Sequence, residues 1–325
     1  MSPAVFLRDP MVRVLALSLL GAIMLPAADV WREAAQMLSN AAIFVLFFVN
    51  GLRIARRDIR AGLANWRFIV PLAAFVFPVM AGAGYLLSIV TAPFLPPLLA
   101  LGFVYLGALP STVQSATSYT TLAGGNVALS VIGAALINLL GVLVTVPIFA
   151  VLGGAGTASV GSETAIRIAT LLILPFFLGQ ITQDWFRAWI VHHAKNAVWL
   201  DRFVIGIAVY VAISGAVIQG IGSAVPASAW AIMLAMVAIF LVFANGGAWG
   251  VAQALRYPAA DRSAFLFAAT QKSAAIGAPL AALLFPPAQA GFILVPLLLY
   301  YVLQMMIAAP LSTMLRRRQW GQPFG

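Results

Sequence analysis

The 325-residue chain has no cysteine and very little charge. The first absence excludes a disulfide framework and thiolate chemistry. The second decides the class. Only 8% of the residues are charged, against roughly 25% in an ordinary soluble domain. With 63% hydrophobic residues, the folded chain has too little polar surface to face water on all sides. The sequence therefore reads as an all-α integral membrane protein, with the lipid bilayer as its first partner. A soluble enzyme is excluded, and no nucleophile–base pair falls within an apolar stretch. Acids are scarcest of all. The eight (Asp9, Asp29, Glu33, Asp58, Glu163, Asp184, Asp201 and Asp261) sit in loops or at the ends of apolar stretches. The first apolar stretch, Val12 to Met24, lacks a small-residue cleavage site and reads as a retained helix.

About 20 apolar residues carry a helix across the hydrocarbon core. Ten stretches qualify, near 11–27, 35–53, 67–90, 96–122, 126–152, 164–187, 199–221, 227–255, 260–285 and 289–315. If the N-terminus is cytoplasmic, fifteen of the eighteen basic residues fall in inner segments and only Arg32 and Arg167 in outer ones. That split predicts an even number of spans with both termini in the cytoplasm, in a cell inner (plasma) membrane. The net charge of +10 is thus a topology signal and implies no nucleic-acid partner. The run Arg316-Arg317-Arg318 reads as a stop at the lipid headgroups. His192 and His193 read as a solvated connection rather than a metal pair.

The eighteenth base is Lys272. It stands about a dozen residues from either end of the ninth stretch, too deep for its ammonium to reach a headgroup layer easily. A charge at that depth is costly and marks a functional site. Around it lies a short polar island, Thr270-Gln271-Lys272-Ser273, followed by Gly277 and Pro279. The fourth stretch has a matching irregularity. Pro110 breaks the helical ladder ahead of Ser111, Thr112, Gln114, Ser115, Thr117 and Ser118. "TVQSA" at 112–116 aligns with "TQKSA" at 270–274, an offset of 158 residues. The same offset, within a few residues, carries the third stretch onto the eighth and the fifth onto the tenth. Five spans is an odd number, so the second set must run inverted. Matched broken helices in inverted repeats are the mark of secondary transporters, and such breaks must line protein or a watery cavity. The expected repeats cover residues 1–155 and 160–318. Gln114, Ser115, Thr270, Gln271 and Ser273 are expected on one central cavity, with Gln114, Ser115 and backbone carbonyls around Lys272. Asn245, Asn138 and Gln304 are further candidates, Gln304 with aromatic packing as its rival role. Gly246-Gly247 reads as a close helix approach.

These residues also resemble a known family. "LPSTVQSATSYTTLAGGNVALSVIGAALINLL" (109–140), "FANGGAWG" (243–250), "TQKSAAIGAPLAALLF" (270–285) and "PLLLYYVLQMMIAAPLS" (296–312) look like helices four to five, eight, nine and ten of the bile acid:sodium symporter family. The nearest branch is the SBF-like one, which includes the solute carrier family 10 member 7 type. The resemblance implies ten helices in a 5+5 inverted repeat, with helices four and nine discontinuous and crossing. It implies a core domain (helices 3–5 and 8–10) and a panel domain (1, 2, 6 and 7). It implies alternating-access transport of a small organic anion, with Thr112, Gln114, Ser115, Ser130, Asn245, Thr270, Gln271, Lys272 and Ser273 as candidate substrate or ion residues. Two family positions that serve sodium differ here, where a helix-five hydroxyl becomes Ala134 and a helix-nine acid becomes Phe267. The family's asparagine next to Gln271 is Lys272. A carboxylate is lost and a cation gained, so the sodium site is altered. No cofactor or metal site is assigned, and sodium and a proton are the candidate coupling ions. Retinal on a mid-membrane lysine would need a buried acid, which the chain lacks. A channel or a non-transporting regulator on the same fold is the remaining alternative.

Overall fold

The computed structural model describes residues 10–56, 60, 64–153 and 166–320. Arg8, Asp9, Arg57, Asp58, Glu163 and the junction between the expected repeats lie outside the described residues. The described chain is helical: α1 Pro10–Met24, α2 Asp29–Arg53, α3 Trp66–Thr91, α4 Pro97–Ala108, α5 Val113–Leu122, α6 Val127–Leu152, α7 Ile166–Ile181, α8 Gln183–His192, α9 Ala194–Ile218, α10 Ala227–Ala254, α11 Ala259–Thr270, α12 Ala274–Leu284 and α13 Pro287–Trp320. No strand occurs among the described residues.

Six helices are long and apolar enough to cross a membrane: α2, α3, α6, α9, α10 and α13. The bent pair α7–α8 makes a seventh if counted as one. The protein is therefore a multi-pass membrane protein. α1, α4 and α12 are shorter apolar helices.

Two expected stretches are divided. Residues 96–122 form α4 and α5, and residues 260–285 form α11 and α12. The sixth, expected over 164–187, stops at Ile181, and the chain turns by 95° into α8. The reason is local. Gln180 and Gln183 are needed elsewhere: their amide groups donate to the carbonyls of Gly51 and Ile54 at 2.6–3.0 Å, capping the end of α2.

α3 carries a π-helical turn at Phe75–Val79, which follows Pro71 and contains Pro78. There the Met80 N–H donates to Phe75 and Phe77 rather than to the Val76 carbonyl. α3 and α4 touch backbone to backbone. A Cβ on Gly84 would run into the Phe103 carbonyl, and one on Gly107 into the Met80 carbonyl. This close approach sets the π turn of α3 beside the end of α4. On the far side of the break, Gly141 of α6 leaves room for the Pro110 ring.

Candidate functional site

Pro110 ends the α4 helix, and Gln271-Lys272-Ser273 interrupts α11 and α12. Such breaks orphan backbone groups inside the protein, where each would cost about 1–3 kcal/mol unpaired. The structure answers by pairing the two breaks with each other. Ser111 and Lys272 face one another in an isolated antiparallel bridge. Its two rungs are Thr112 N–H to the Gln271 carbonyl, 2.7 Å, and Ser273 N–H to the Pro110 carbonyl, 3.0 Å. The two polar islands are thus brought together.

Side chains satisfy what the bridge does not. The Ser111 hydroxyl donates to the Ala268 carbonyl, and the Thr112 hydroxyl to the Lys272 carbonyl at 3.2 Å. The Tyr300 hydroxyl donates to the Thr270 carbonyl at 2.9 Å. Gln304 of α13 holds both faces of the Lys272 peptide: its oxygen accepts from the Lys272 N–H at 2.8 Å, and its nitrogen donates to the Lys272 carbonyl at 3.2 Å. Gln304 therefore serves the break, a role its aromatic neighbours had left open in the sequence. Ser273 caps α12 by accepting from the Ile276 N–H.

The Lys272 side chain is fully buried. Its ammonium donates to three carbonyls: Leu109 at 2.6 Å, Gly107 at 2.9 Å and Val76 at 3.3 Å. Each acceptor has a reason to be available. Gly107 and Leu109 lie where Pro110 ends the helix, and Val76 lies in the π turn. The carbonyl end of a helix favours a positive charge, so the ammonium sits where a cation belongs. No carboxylate pairs with it among the described residues. Gln114 and Ser115, expected as its partners, are not. They belong to the first turn of α5 and face elsewhere.

They face a cavity of about 500 Å³. Thr112, Gln114, Ser115 and Ser118 line one side of it, and Ser273, Ala274 and Ala275 line another. The starts of α5 and α12 thus both open onto one space, with the positive ends of two helices toward it. The opposite wall, from α2 and α9, supplies Asn50, Arg53, Asp201 and Arg202. Arg53 and Asp201 form an ion pair at 2.7 Å, and Arg202 stacks over the Trp199 ring at 4.9 Å. Asn138 also lines the cavity, with its side-chain oxygen buried and unpartnered. The sequence picked out Arg53, Asp201 and Arg202 only as markers of span ends.

The remaining candidates lie apart from that space. Thr270 is buried and donates to the Leu266 carbonyl of its own helix at 2.9 Å. Gln271 is buried, and its side-chain oxygen has no hydrogen-bond partner. Ser130 is buried on α6 and accepts from the Thr120 hydroxyl at 3.0 Å. Asn245 donates to the Leu241 carbonyl of its own helix at 2.8 Å. Phe267, where the resembled family carries an acid, is fully buried against Tyr119, ring centres 5.8 Å apart.

A protein of Escherichia coli (strain K12) named "Putative symporter YfeH" is 31% identical over 95% of this chain and 93% of its own length. "Uncharacterized protein PA2026" of Pseudomonas aeruginosa is 33% identical over 98% of this chain and 96% of its own. Mouse "Sodium/bile acid cotransporter 7" is 22% identical over 84% of this chain and 82% of its own. The family model for SBF-like CPA transporters matches residues 9–317. The chain belongs to the SBF-like CPA transporter family, and it is a membrane transporter rather than an enzyme.

Proposed function

We propose that the protein is a secondary active transporter of a small organic anion, working by alternating access, with Lys272 as a tethered cation in place of a coupling sodium. The observation that carries this reading is the Lys272 ammonium on three backbone carbonyls at the paired breaks. The relatives named symporter and cotransporter support a solute substrate. In this reading ten spans form a 5+5 inverted repeat. α3–α6 and α10–α13 make the core, and α1, α2, α7 and α9 make the panel. The chain is oriented with both termini in the cytoplasm of a cell inner membrane.

The anion is held in the cavity by the starts of α5 and α12, through Thr112, Gln114, Ser115 and Ser273. Arg202, stacked on Trp199 beside the Arg53–Asp201 pair, is a second positive side chain on that wall. Gln271 and Lys272 act behind the cavity, holding the crossing that carries both helix starts. Ser130, Asn245 and Thr270 support the core. A fixed ammonium repels sodium from its own position, since no nearby acid balances the added charge. Transport in this reading does not depend on sodium, and a proton or the anion gradient itself drives it. Proteoliposome uptake of organic anions, with and without sodium, tests it. Uptake that requires sodium would overturn the tethered-cation reading. Absence of uptake under any gradient, with specific ligand binding retained, would favour the alternative of a non-transporting regulator. Passive, non-saturating flux would favour a channel.

A further inference from the structure

Three of the described residues that line the cavity are charged: Arg53, Asp201 and Arg202. They share the wall built by α2 and α9, opposite the starts of α5 and α12. An anion held by those helix starts therefore meets two bases and a single acid. The other titratable side chains on the lining are the phenols of Tyr119, from α5, and Tyr301, from α13. α1, α6 and α12 contribute none to it.

The acid is served on one side only. Its Oδ2 accepts from the Arg53 Nη1 at 2.7 Å. Its Oδ1 is buried and has no hydrogen-bond donor. The cations that act on it are Arg53 and its own neighbour in α9, Arg202. The side chain as a whole is 21% exposed, so solvent reaches the carboxyl group while one of its oxygens stays unused.

Arg53 is a better anion site without this partner. A guanidinium keeps its proton throughout the physiological range, so Arg53 is released in place only when Asp201 loses its charge. With Asp201 ionised, the wall carries two positive charges and one negative. With a proton on Oδ1 it carries two positive charges, and the Arg53 Nη1 is free to donate to an anion. The Asn50 Oδ1, one turn earlier on α2, accepts from the same Nη1 at 3.5 Å and keeps the guanidinium on the wall.

We infer that Asp201 is the proton site that couples transport. A proton from solvent adds to its Oδ1, the Arg53 hydrogen bond passes from Oδ2 to the bound anion, and the two cross together. One proton and one monoanion move per cycle, with no net charge. When the proton leaves on the far side, the ion pair re-forms and the anion is displaced. The inference rests on reading the cavity as an anion site, and it selects the proton as the driving ion.

The test uses the full chain in detergent and three anions whose own charge does not titrate: methanesulfonate, benzenesulfonate and naphthalenesulfonate. Binding is followed by calorimetry. For a sulfonate that binds, the wild-type dissociation constant should fall about tenfold or more from about pH 8 to about pH 5, because the protonated fraction is the competent one. The wild type should also take up protons from a weak buffer as the anion binds, a readout that needs no variant. Asp201→Asn carries no charge and still offers Arg53 an acceptor; it should bind at the wild type's acid-limit affinity at every pH and take up no proton. Arg53→Gln should bind weakly throughout. Affinity that ignores pH, binding without proton uptake, an Asp201→Asn variant that keeps the wild-type pH profile, or an Arg53→Gln variant as tight as the wild type would each overturn the assignment and leave the anion site standing. No binding of any of the three at any pH would instead overturn the anion reading itself.

Discussion

If Lys272 stands in for a coupling sodium, replacing it by alanine should make the protein respond to sodium. The substitution removes three charge-assisted hydrogen bonds, to Leu109, Gly107 and Val76. Left unpaired, buried carbonyls cost about 1–3 kcal/mol each. Against that stands the desolvation of the ammonium, several kcal/mol, which the variant no longer bears. The net loss should therefore fall well short of the sum of the three bonds, and the variant should fold. It then holds three inward carbonyls around the volume the ammonium had filled, with no positive charge to repel a small cation. If sodium enters at a dissociation constant of about 5 mM, 100 mM sodium stabilises the fold by about 1.8 kcal/mol through mass action. For a chain of this size that is a rise of a few degrees in Tm. The assay is thermal unfolding of wild type and Lys272→Ala in sodium, potassium and choline chloride at equal ionic strength. The wild type should not distinguish the three salts, and the variant should be raised selectively by sodium. A wild type raised by sodium over potassium at millimolar concentration would refute the reasoning. So would a folded variant indifferent to sodium.

Three further outcomes follow from the same geometry. Gln304→Leu removes both hydrogen bonds to the Lys272 peptide and should destabilise by about 2–4 kcal/mol, read in thermal unfolding; Gln304→Glu, which keeps the acceptor, should lose less. Arg53→Gln leaves Asp201 without its partner, and with side chains 26% and 21% exposed the loss should be about 1 kcal/mol in stability, while anion uptake falls through the altered cavity wall. Single cysteines at Ser2 and Gln289 should differ in labelling by an impermeant reagent in intact cells, with only Gln289→Cys reacting; equal labelling would refute the orientation.

Lys272 could be singled out from sequence because it is the one charge far from any span end. The pairing of the breaks could be anticipated because two similar polar islands recur at a fixed offset. That backbone carbonyls would surround Lys272 could be anticipated as well, but not which ones. Its acceptors are backbone groups, and a carbonyl leaves no mark in the residue string. Val76 is available only because Met80 donates to Phe75 and Phe77, a rearrangement hinted at by Pro71 and Pro78 but not placed by them. Gln114 and Ser115, the polar side chains expected beside those carbonyls, turn instead to the cavity. The division of the sixth stretch was hidden for a similar reason. Apolar content continues past Ile181 through Trp185, Phe186 and Trp189, and only the capping of α2 by Gln180 and Gln183 explains the turn. Arg53 and Asp201 were visible as charges at two span ends, but nothing local says that ends 148 residues apart face the same space.

The bridge between the breaks also governs when the protein can become stable. The groups that satisfy the end of α4 come from Lys272, 163 residues beyond Leu109. A chain emerging from the ribosome inserts α4 and α5 long before that lysine is made. Until then the carbonyls of Gly107 and Leu109 lack the ammonium that binds them in the finished fold. The first half is thus an incomplete object by itself, held open for a partner that only the second half supplies. A chain truncated after α6 should be short-lived in the membrane, and co-expression of the missing half as a separate polypeptide should rescue it.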